Sequence, residues 1–333
     1  MHKKKLVYVT PNDRWIRRCR RGKGFIYVAP GTHKAVSKKI LKRIEKLGIP
    51  PAYEDVLICP NVNGHIQAIG HDKRRRKQYI YHPDWVVVQS KEKFKRLVAF
   101  GVALTKIRRR VALDLRKKKL SKEKILAAMV KIMDLTHIRV GNDTYAKTHE
   151  TYGLTTLRKK HVNLKRNQIL FSFKGKNETP WVITLQNPAI CKVIKKCAEI
   201  PGHVLFKFED ADGVVRPLCS EEFNDYLASI GGEEFTAKDF RTWAACCLLF
   251  EKLVRGRDVV PEKRSAYLKA ALEEVAQKMG HTVAVCRRSY IHPLLIKSFE
   301  TGAFQKWLGK KKTPNTEKHL LKWWKDHVKG SSV

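Results

Sequence analysis

Long apolar runs, acidic residues and ordered cysteine pairs are what this chain lacks. Its apolar stretches, such as Ala244 to Phe250, fall far short of the roughly 18 residues needed to span a bilayer. Met1, His2, Lys3, Lys4 and Lys5 offer no apolar signal core, so a soluble, intracellular protein with no membrane partner is expected. Among the eight cysteines, Cys246 and Cys247 are adjacent, Cys191 and Cys197 lie six apart, and no C-x-x-C faces another at zinc spacing. They read as reduced thiols, mostly buried. No G-x-x-x-x-G-K-S/T loop is present to cradle ATP phosphates. Glu209, Asp210 and Asp212 come closest to a magnesium-holding carboxylate cluster, but Asp212-Gly213 sits between the apolar runs Val204 to Phe208 and Val214-Val215 and reads as a hairpin turn. These absences point to a reaction that uses no ATP, no metal and no small-molecule cofactor.

Positive charge is what the chain has in excess. Its 69 Lys+Arg stand against 31 Asp+Glu, a formal net charge of +38 over 333 residues, so a polyanion is the expected partner and nucleic acid leads. With 43% hydrophobic residues and seven tryptophans the chain can bury real cores, and its length fits two domains better than one. The basic runs Arg74 to Lys77, Arg108 to Arg110, Lys117 to Lys119 and Lys310 to Lys312 can line a groove for a duplex or can be solvated faces. No internal repeat is present.

The local patterns predict an α+β protein. Over residues 1–90, Leu6 to Val9, Phe25 to Val28, Val56 to Cys59 and Ile66 to Ile69 are short β-branched and aromatic runs bounded by Pro, Gly and Asn. One helix, Ser37 to Leu47, interrupts them. From about Lys91 the apolar period changes to 3.6 and predicts a mainly helical domain over 91–304. Ser121 can cap a helix that buries Ile125, Met129, Ile132 and Leu135. A β insertion alternates through His161 to Lys165, Ile169 to Phe173 and Trp181 to Leu185, which puts Lys176 at a hairpin tip. Thr236 to Asp239 fits a capping box before a stripe of Phe240, Trp243, Ala244, Cys247 and Leu248, with Arg241 off that stripe. A helix from Pro261 to Met279 stops at Gly280, leaving His281 at an exposed junction. Residues 305–333 read as a basic tail with an amphipathic helix, Thr316 to Val328, carrying Leu320, Leu321, Trp324 and Val328.

The segment G-H-T-V-A-V-C-R-R-S-Y places His281 nine positions before Tyr290 with Arg287 and Arg288 between. A neutral phenol, with a reference pKa of about 10, is a poor nucleophile. Attack on a phosphodiester therefore needs cations for the phenolate and for the crowded phosphorane. Arginine suits the phosphorane, because its planar donors hold two non-bridging oxygens at once, and Arg139, Arg241 and His281 fall near helix ends or junctions. Expelling the sugar oxygen needs a proton donor, and Lys176 on a hairpin tip can reach it. Taken singly, any such Arg or Lys reads first as a solvated surface residue, and Tyr290 as a core residue. The ordered set carries the signal.

Arg139 in I-R-V-G-N, Lys176 in F-K-G-K-N, Arg241 in K-D-F-R-T, His281 in G-H-T and Tyr290 in R-R-S-Y together resemble the type IB DNA topoisomerases of the small poxvirus and bacterial kind. The resemblance covers nearly the whole chain. It implies a tyrosine recombinase/topoisomerase-like catalytic domain, duplex DNA as substrate and partner, a monomer, and a 3′-phosphotyrosyl intermediate formed by Tyr290. It further implies that Arg139, Arg241 and His281 stabilise the transition state and that Lys176 is the general acid. Arg76, Gln78, Tyr79 and Tyr81 resemble the R-x-Q-Y-x-Y element with which the family's β-rich domain grips DNA, and Tyr145 falls where the family has a DNA-contacting tyrosine. On one strand Tyr79 and Tyr81 share a face, which serves DNA contact or the strand's own packing.

Three positions depart from the family pattern: His281 where many bacterial relatives have asparagine, Val283 where proline is usual, and Asn177 where some members have aspartate. The first keeps a cationic reading of the site. A tyrosine recombinase shares this nucleophile, yet typically carries H-x-x-R where Lys238 and Arg241 here form K-x-x-R. A non-enzymatic basic nucleic-acid-binding protein explains the charge but not the spacing from His281 to Tyr290. The implied compartment is a bacterial nucleoid or a viral particle or factory.

Overall fold

The structure, a computed structural model, describes residues 6–32, 34–73, 75–232, 235–310 and 315–328. Met1 to Lys5, Arg74, Lys311 and Lys312, invoked above, lie outside the described residues, as does the side chain of Val328. Two compact units emerge, Met1–Lys95 and Arg96–Val333.

The first unit is built on five antiparallel strands, β1 (Ile16–Arg21), β2 (Gly24–Val28), β3 (Glu54–Ile58), β4 (Ile66–His71) and β5 (Lys77–Tyr81), in the order β2-β1-β3-β4-β5. One helix, α1 (Lys38–Lys46), packs Ile44 against Ile16, Val56, Ile58 and Ala68. Strand β1 was not expected, because its sequence I-R-R-C-R-R lacks apolar alternation. It pairs on both sides, and Arg18 turns inward to stack on Phe25 at 4.2 Å and donate to the carbonyl oxygens of Pro50 and Tyr53. The run Leu6 to Val9, expected as a strand, makes a single parallel bridge between Val7 and Gly64. Strand β5, at the sheet edge, alternates as expected: Tyr79 and Tyr81 are exposed on one face with their rings stacked at 5.8 Å and 12°.

The helical period begins earlier than residue 91, since α2 runs from Pro83 to Leu115 and contains the boundary at Lys95. The second unit continues with α3 (Lys122–Thr136), α4 (Asp143–His149), a three-stranded sheet of β6 (Val162–Lys165), β7 (Gln168–Lys174) and β8 (Pro180–Gln186), and α5 (Pro188–Glu199). A small hairpin of β9 (Lys207–Glu209) and β10 (Val215–Pro217) follows, then α6 (Ser220–Gly231), α7 (Ala237–Arg255), α8 (Arg264–Lys278), α9 (Val283–Ser289), α10 (Pro293–Glu300), α11 (Ala303–Leu308) and α12 (Thr316–Val328).

Two helices are buried almost all round and organise this unit. In α3 every residue from Ile125 to Val130 is buried, whereas Leu135, expected inside, is 45% exposed. In α7 the buried set includes Phe240, Trp243 and Ala244 but also Arg241, which does not point away from the core as its place beside the apolar stripe implied. Neighbours on all sides leave such a helix no solvent face.

Within 305–333, expected as a tail, the described residues 305–310 and 315–328 are instead a structural part of the second unit. Leu308, Leu320, Trp323 and Trp324 are fully buried, α12 packs on α7, and Glu317 bonds both Arg108 and Trp243 Nε1. Burying that much aromatic surface outweighs the basic character of the segment, at about 25 cal/mol per Å² removed from water.

Candidate active site

Tyr290 closes α9 as its C-terminal cap, and its backbone is held from two sides. Its N–H donates to the Cys286 carbonyl at 2.9 Å, and its own carbonyl accepts from Cys246 Sγ of α7 at 3.2 Å. The side chain is half-buried, its ring stacked on the His281 imidazole at 4.0 Å and 30°. Arg241 Cζ lies 5.9 Å from the ring centroid.

Arg241 reaches this place from the first turn of α7 with only 4% of its surface exposed. It donates to the carbonyl oxygen of His137 and, at 2.7 Å, to that of Met279. His137 ends α3 in the left-handed conformation, φ 59°. Arg139, two residues further on, donates through Nη2 to the Gly280 carbonyl at 2.7 Å. Neither guanidinium forms an ion pair with a carboxylate among the described residues. Burial, and then the charge of Arg139, push Arg241 down to about 10, while the phenol of Tyr290 pulls the other way. Burial likewise lowers Arg139, with Tyr290 opposing.

His281 departs from the expectation of an exposed, cationic residue. It is half-buried, and its Nε2 lies 2.8 Å from Arg241 Nη2. An arginine has only donors to offer, so Nε2 accepts and the ring proton belongs on Nδ1. Burial first, then Arg241, Arg139 and Lys176, push its pKa down to about 3. The histidine is therefore neutral at physiological pH, because two guanidiniums and a lysine already crowd it. It offers one N–H donor.

Three nitrogens are buried here with no hydrogen-bond partner among the described residues: Arg139 Nη1, Arg241 Nε and His281 Nδ1. An unsatisfied buried donor is costly, and an unpaired buried charge more so. Such a cluster is suited to an anionic ligand with several acceptor oxygens. Lys176 lies exposed at the β7–β8 tip, close enough to influence His281 electrostatically. The tip is tightly bent, Asn177 and Glu178 both being left-handed, with φ 61° and 59°. The structure thus brings Tyr290, Arg139, Arg241, His281 and Lys176 around one space.

Of the expected DNA-contacting residues, Arg76, Gln78, Tyr79 and Tyr81 belong to the first unit and Tyr145 to the second. In the first unit Arg76 is held by Asp72, its Nε at 2.8 Å from Oδ2, and Gln78 Nε2 donates to the same oxygen at 3.0 Å. Tyr145 sits exposed on α4, edge-on to His149 at 5.7 Å. Trp181 was read only as a strand residue, yet its indole packs against Gly175 and Gly280 at the margin of the site. No local pattern marks that contact.

A tyrosine beside desolvated guanidiniums, within a helical unit that carries a β insertion, defines a site able to present a phenol to a phosphodiester. The family model for the catalytic core of eukaryotic DNA topoisomerase I matches residues 76–312, and that for the N-terminal domain of bacterial DNA topoisomerase IB matches residues 24–72. Over 295 residues the chain is 33% identical to DNA topoisomerase 1B of Acanthamoeba polyphaga mimivirus, covering 86% of this chain and 88% of that one. It is 22% identical over 268 residues to DNA topoisomerase 1B of Vaccinia virus (strain Copenhagen), covering 79% and 81%. A solved structure of XerH site-specific recombinase bound to difH substrate superposes with a TM-score of 0.37 at 16% identity over 60% of this chain and 52% of that one, too loosely to bear on function. The chain belongs to the type IB DNA topoisomerases, enzymes that break and rejoin one strand of duplex DNA.

Proposed function

We propose that Tyr290 is the nucleophile with which this enzyme relaxes supercoiled DNA. Its oxygen attacks the scissile phosphorus as the P–O5′ bond breaks, giving a 3′-phosphotyrosyl bond and a free 5′-hydroxyl. The phenolic proton passes to water, and the departing O5′ takes a proton from Lys176 Nζ. Arg139, Arg241 and the neutral His281 donate to the non-bridging oxygens, where charge builds up in the transition state. Torsion escapes by rotation about the intact strand, and attack by the 5′-hydroxyl on the phosphotyrosyl bond reseals the nick. That bond conserves the energy of the broken phosphodiester, so the cycle runs without ATP or metal. The observation that carries this reading is the trio of buried, partnerless donors on Arg139, Arg241 and His281 beside the Tyr290 phenol. Arg76, Gln78, Tyr79, Tyr81 and Tyr145 contact the duplex in the same reading, and the enzyme acts as a monomer in the compartment that holds its DNA.

The test uses negatively and positively supercoiled plasmid in EDTA without ATP, with detergent to trap covalent complexes. Relaxation of both plasmids with a 3′ adduct is expected, as is loss of both activities in Tyr290→Phe with DNA affinity largely kept. An adduct without relaxation points instead to a recombinase. An adduct in Tyr290→Phe removes Tyr290 from its role.

A further inference from the structure

The hairpin that carries Lys176 joins β7 to β8, two strands of the three-stranded sheet, through a tight tip. A lysine that delivers a proton must be held near one oxygen, since small displacements of a reacting group cost large factors in rate. Lys176, Asn177 and Glu178 are all exposed at the tip, so the placement of the lysine depends on how the hairpin as a whole is seated.

Trp181 lies opposite Phe173 in the β7–β8 register, their rings parallel at 7° with centroids 6.3 Å apart. A Cβ built on Gly175, the residue before Lys176, would come within 2.7 Å of Trp181 Cδ1 and Nε1. A Cβ on Gly280, the residue before His281, would come within 2.7 Å of Trp181 Cζ2. The pyrrole edge of one indole thus lies on the glycine next to the lysine, and its benzo edge on the glycine next to the histidine. Gly280 is fixed for two further reasons. Its φ of +61° favours glycine, and its carbonyl accepts from Arg139.

We propose that Trp181 is a positioning residue that docks the hairpin on the Gly280–His281 junction and so sets the reach of Lys176 to the leaving oxygen. This rests on the assignment of Lys176 as general acid. Trp181 does not touch the reacting atoms; it determines where the proton donor stands relative to the histidine and arginines that hold the phosphate.

Single-turnover cleavage by the intact protein tests it, on a duplex whose cleavage position has first been mapped on plasmid DNA. Two versions are compared, one with the natural 5′-oxygen and one with a 5′-bridging sulfur, whose thiolate leaves without protonation. Trp181→Ala is expected to slow the oxygen substrate by about 10- to 100-fold and the sulfur substrate by less than about threefold. Trp181→Phe, which keeps the stack on Phe173 but is too short for Gly280, is expected to fall between, and it carries the same comparison should the alanine variant fail to fold. The double variant Trp181→Ala/Lys176→Ala should be no slower than Lys176→Ala alone, because one step is affected by both. Equal slowing of both substrates by Trp181→Ala, or no slowing, overturns the positioning role while a sulfur-rescued Lys176→Ala leaves the acid in place. A Lys176→Ala variant that sulfur does not rescue removes the acid assignment itself, and the role of Trp181 with it.

Discussion

Arg108 and Arg241 are two arginines turned into the same helical unit, and they are treated in opposite ways. Arg108 grips Asp134 through Nε and Nη2 at 2.9 and 2.8 Å, and Glu317 through Nη1 and Nη2 at 2.7 and 2.8 Å. Burial opposes its charge, but its hydrogen bonds to the carboxylates of Asp134 and Glu317 more than compensate and raise its pKa. Arg241 has carbonyl oxygens, a histidine and a phenol, and its pKa is pushed down to about 10. One arrangement neutralises a charge and joins α2 and α3 to the C-terminal helix. The other leaves a buried guanidinium with no carboxylate partner among the described residues, an arrangement suited to an anionic ligand. The presence or absence of a carboxylate partner therefore separates a structural arginine from a functional one in a chain where basic residues are abundant.

Exchanging the two arginines for apolar residues is the strongest way to break that comparison. Arg241→Met is expected to slow single-turnover cleavage by about a hundredfold or more, as for loss of a donor aimed at transition-state charge. Arg108→Met should leave cleavage within about threefold. Stability should move the other way. Losing Arg108 leaves Asp134 and Glu317 facing each other, a loss of about 1–3 kcal/mol once its partial exposure is allowed for. Chemical denaturation should show a smaller loss for Arg241→Met. A stability loss in Arg241→Met equal to that of Arg108→Met, with only a fewfold effect on cleavage, would place Arg241 among the structural arginines.

A smaller effect is expected at the surface of the first unit, where Arg76 shares its charge with Asp72 at 2.7 Å. Arg76→Ala should weaken duplex binding by less than about tenfold and reduce the slope of log affinity against log salt by about 1, as for one lost phosphate contact. Cleavage by the bound enzyme should be unchanged. An unchanged slope removes Arg76 from the interface.

The smallest effect is expected for His281→Asn, because one neutral donor replaces another; cleavage should stay within about threefold. The wild-type rate at limiting DNA, which reports the free enzyme, should show no histidine limb near the ordinary value of 6.5, since burial and the neighbouring cations lower His281 to about 3. Stability has a definite sign. His137 and His161 are each lowered to about 4 by burial first, and His281 to about 3, so between about pH 6.5 and 4 the unfolded chain binds more protons than the folded one. The melting temperature should therefore be highest above that window and fall as pH drops through it, by about 5 °C or more. His281→Asn should make that fall shallower. A limb near 6.5 at limiting DNA would restore a cationic histidine.

Much was legible in the sequence because it rests on neighbours within a few residues. The alternation of Lys77 to Tyr81, the Ser121 and Thr236 caps, the turn at Asp212-Gly213 and the hairpin tip at Lys176 are local patterns, and the structure has each of them. The order of Arg139, Lys176, Arg241, His281 and Tyr290 is likewise a property of the string. Desolvation is not local. Whether Arg241 is buried, whether His281 is neutral, and whether the last helix is a tail or part of the core depend on which distant segments pack together. The Cβ that Gly280 cannot carry is excluded by Trp181, and no local pattern announces a neighbour 99 positions away. The sequence determined the charge, the local elements and the chemical types available to the site. Tertiary packing decided which of those cations lose their water, because desolvation depends on which distant segments close over a guanidinium and whether a described carboxylate comes with them.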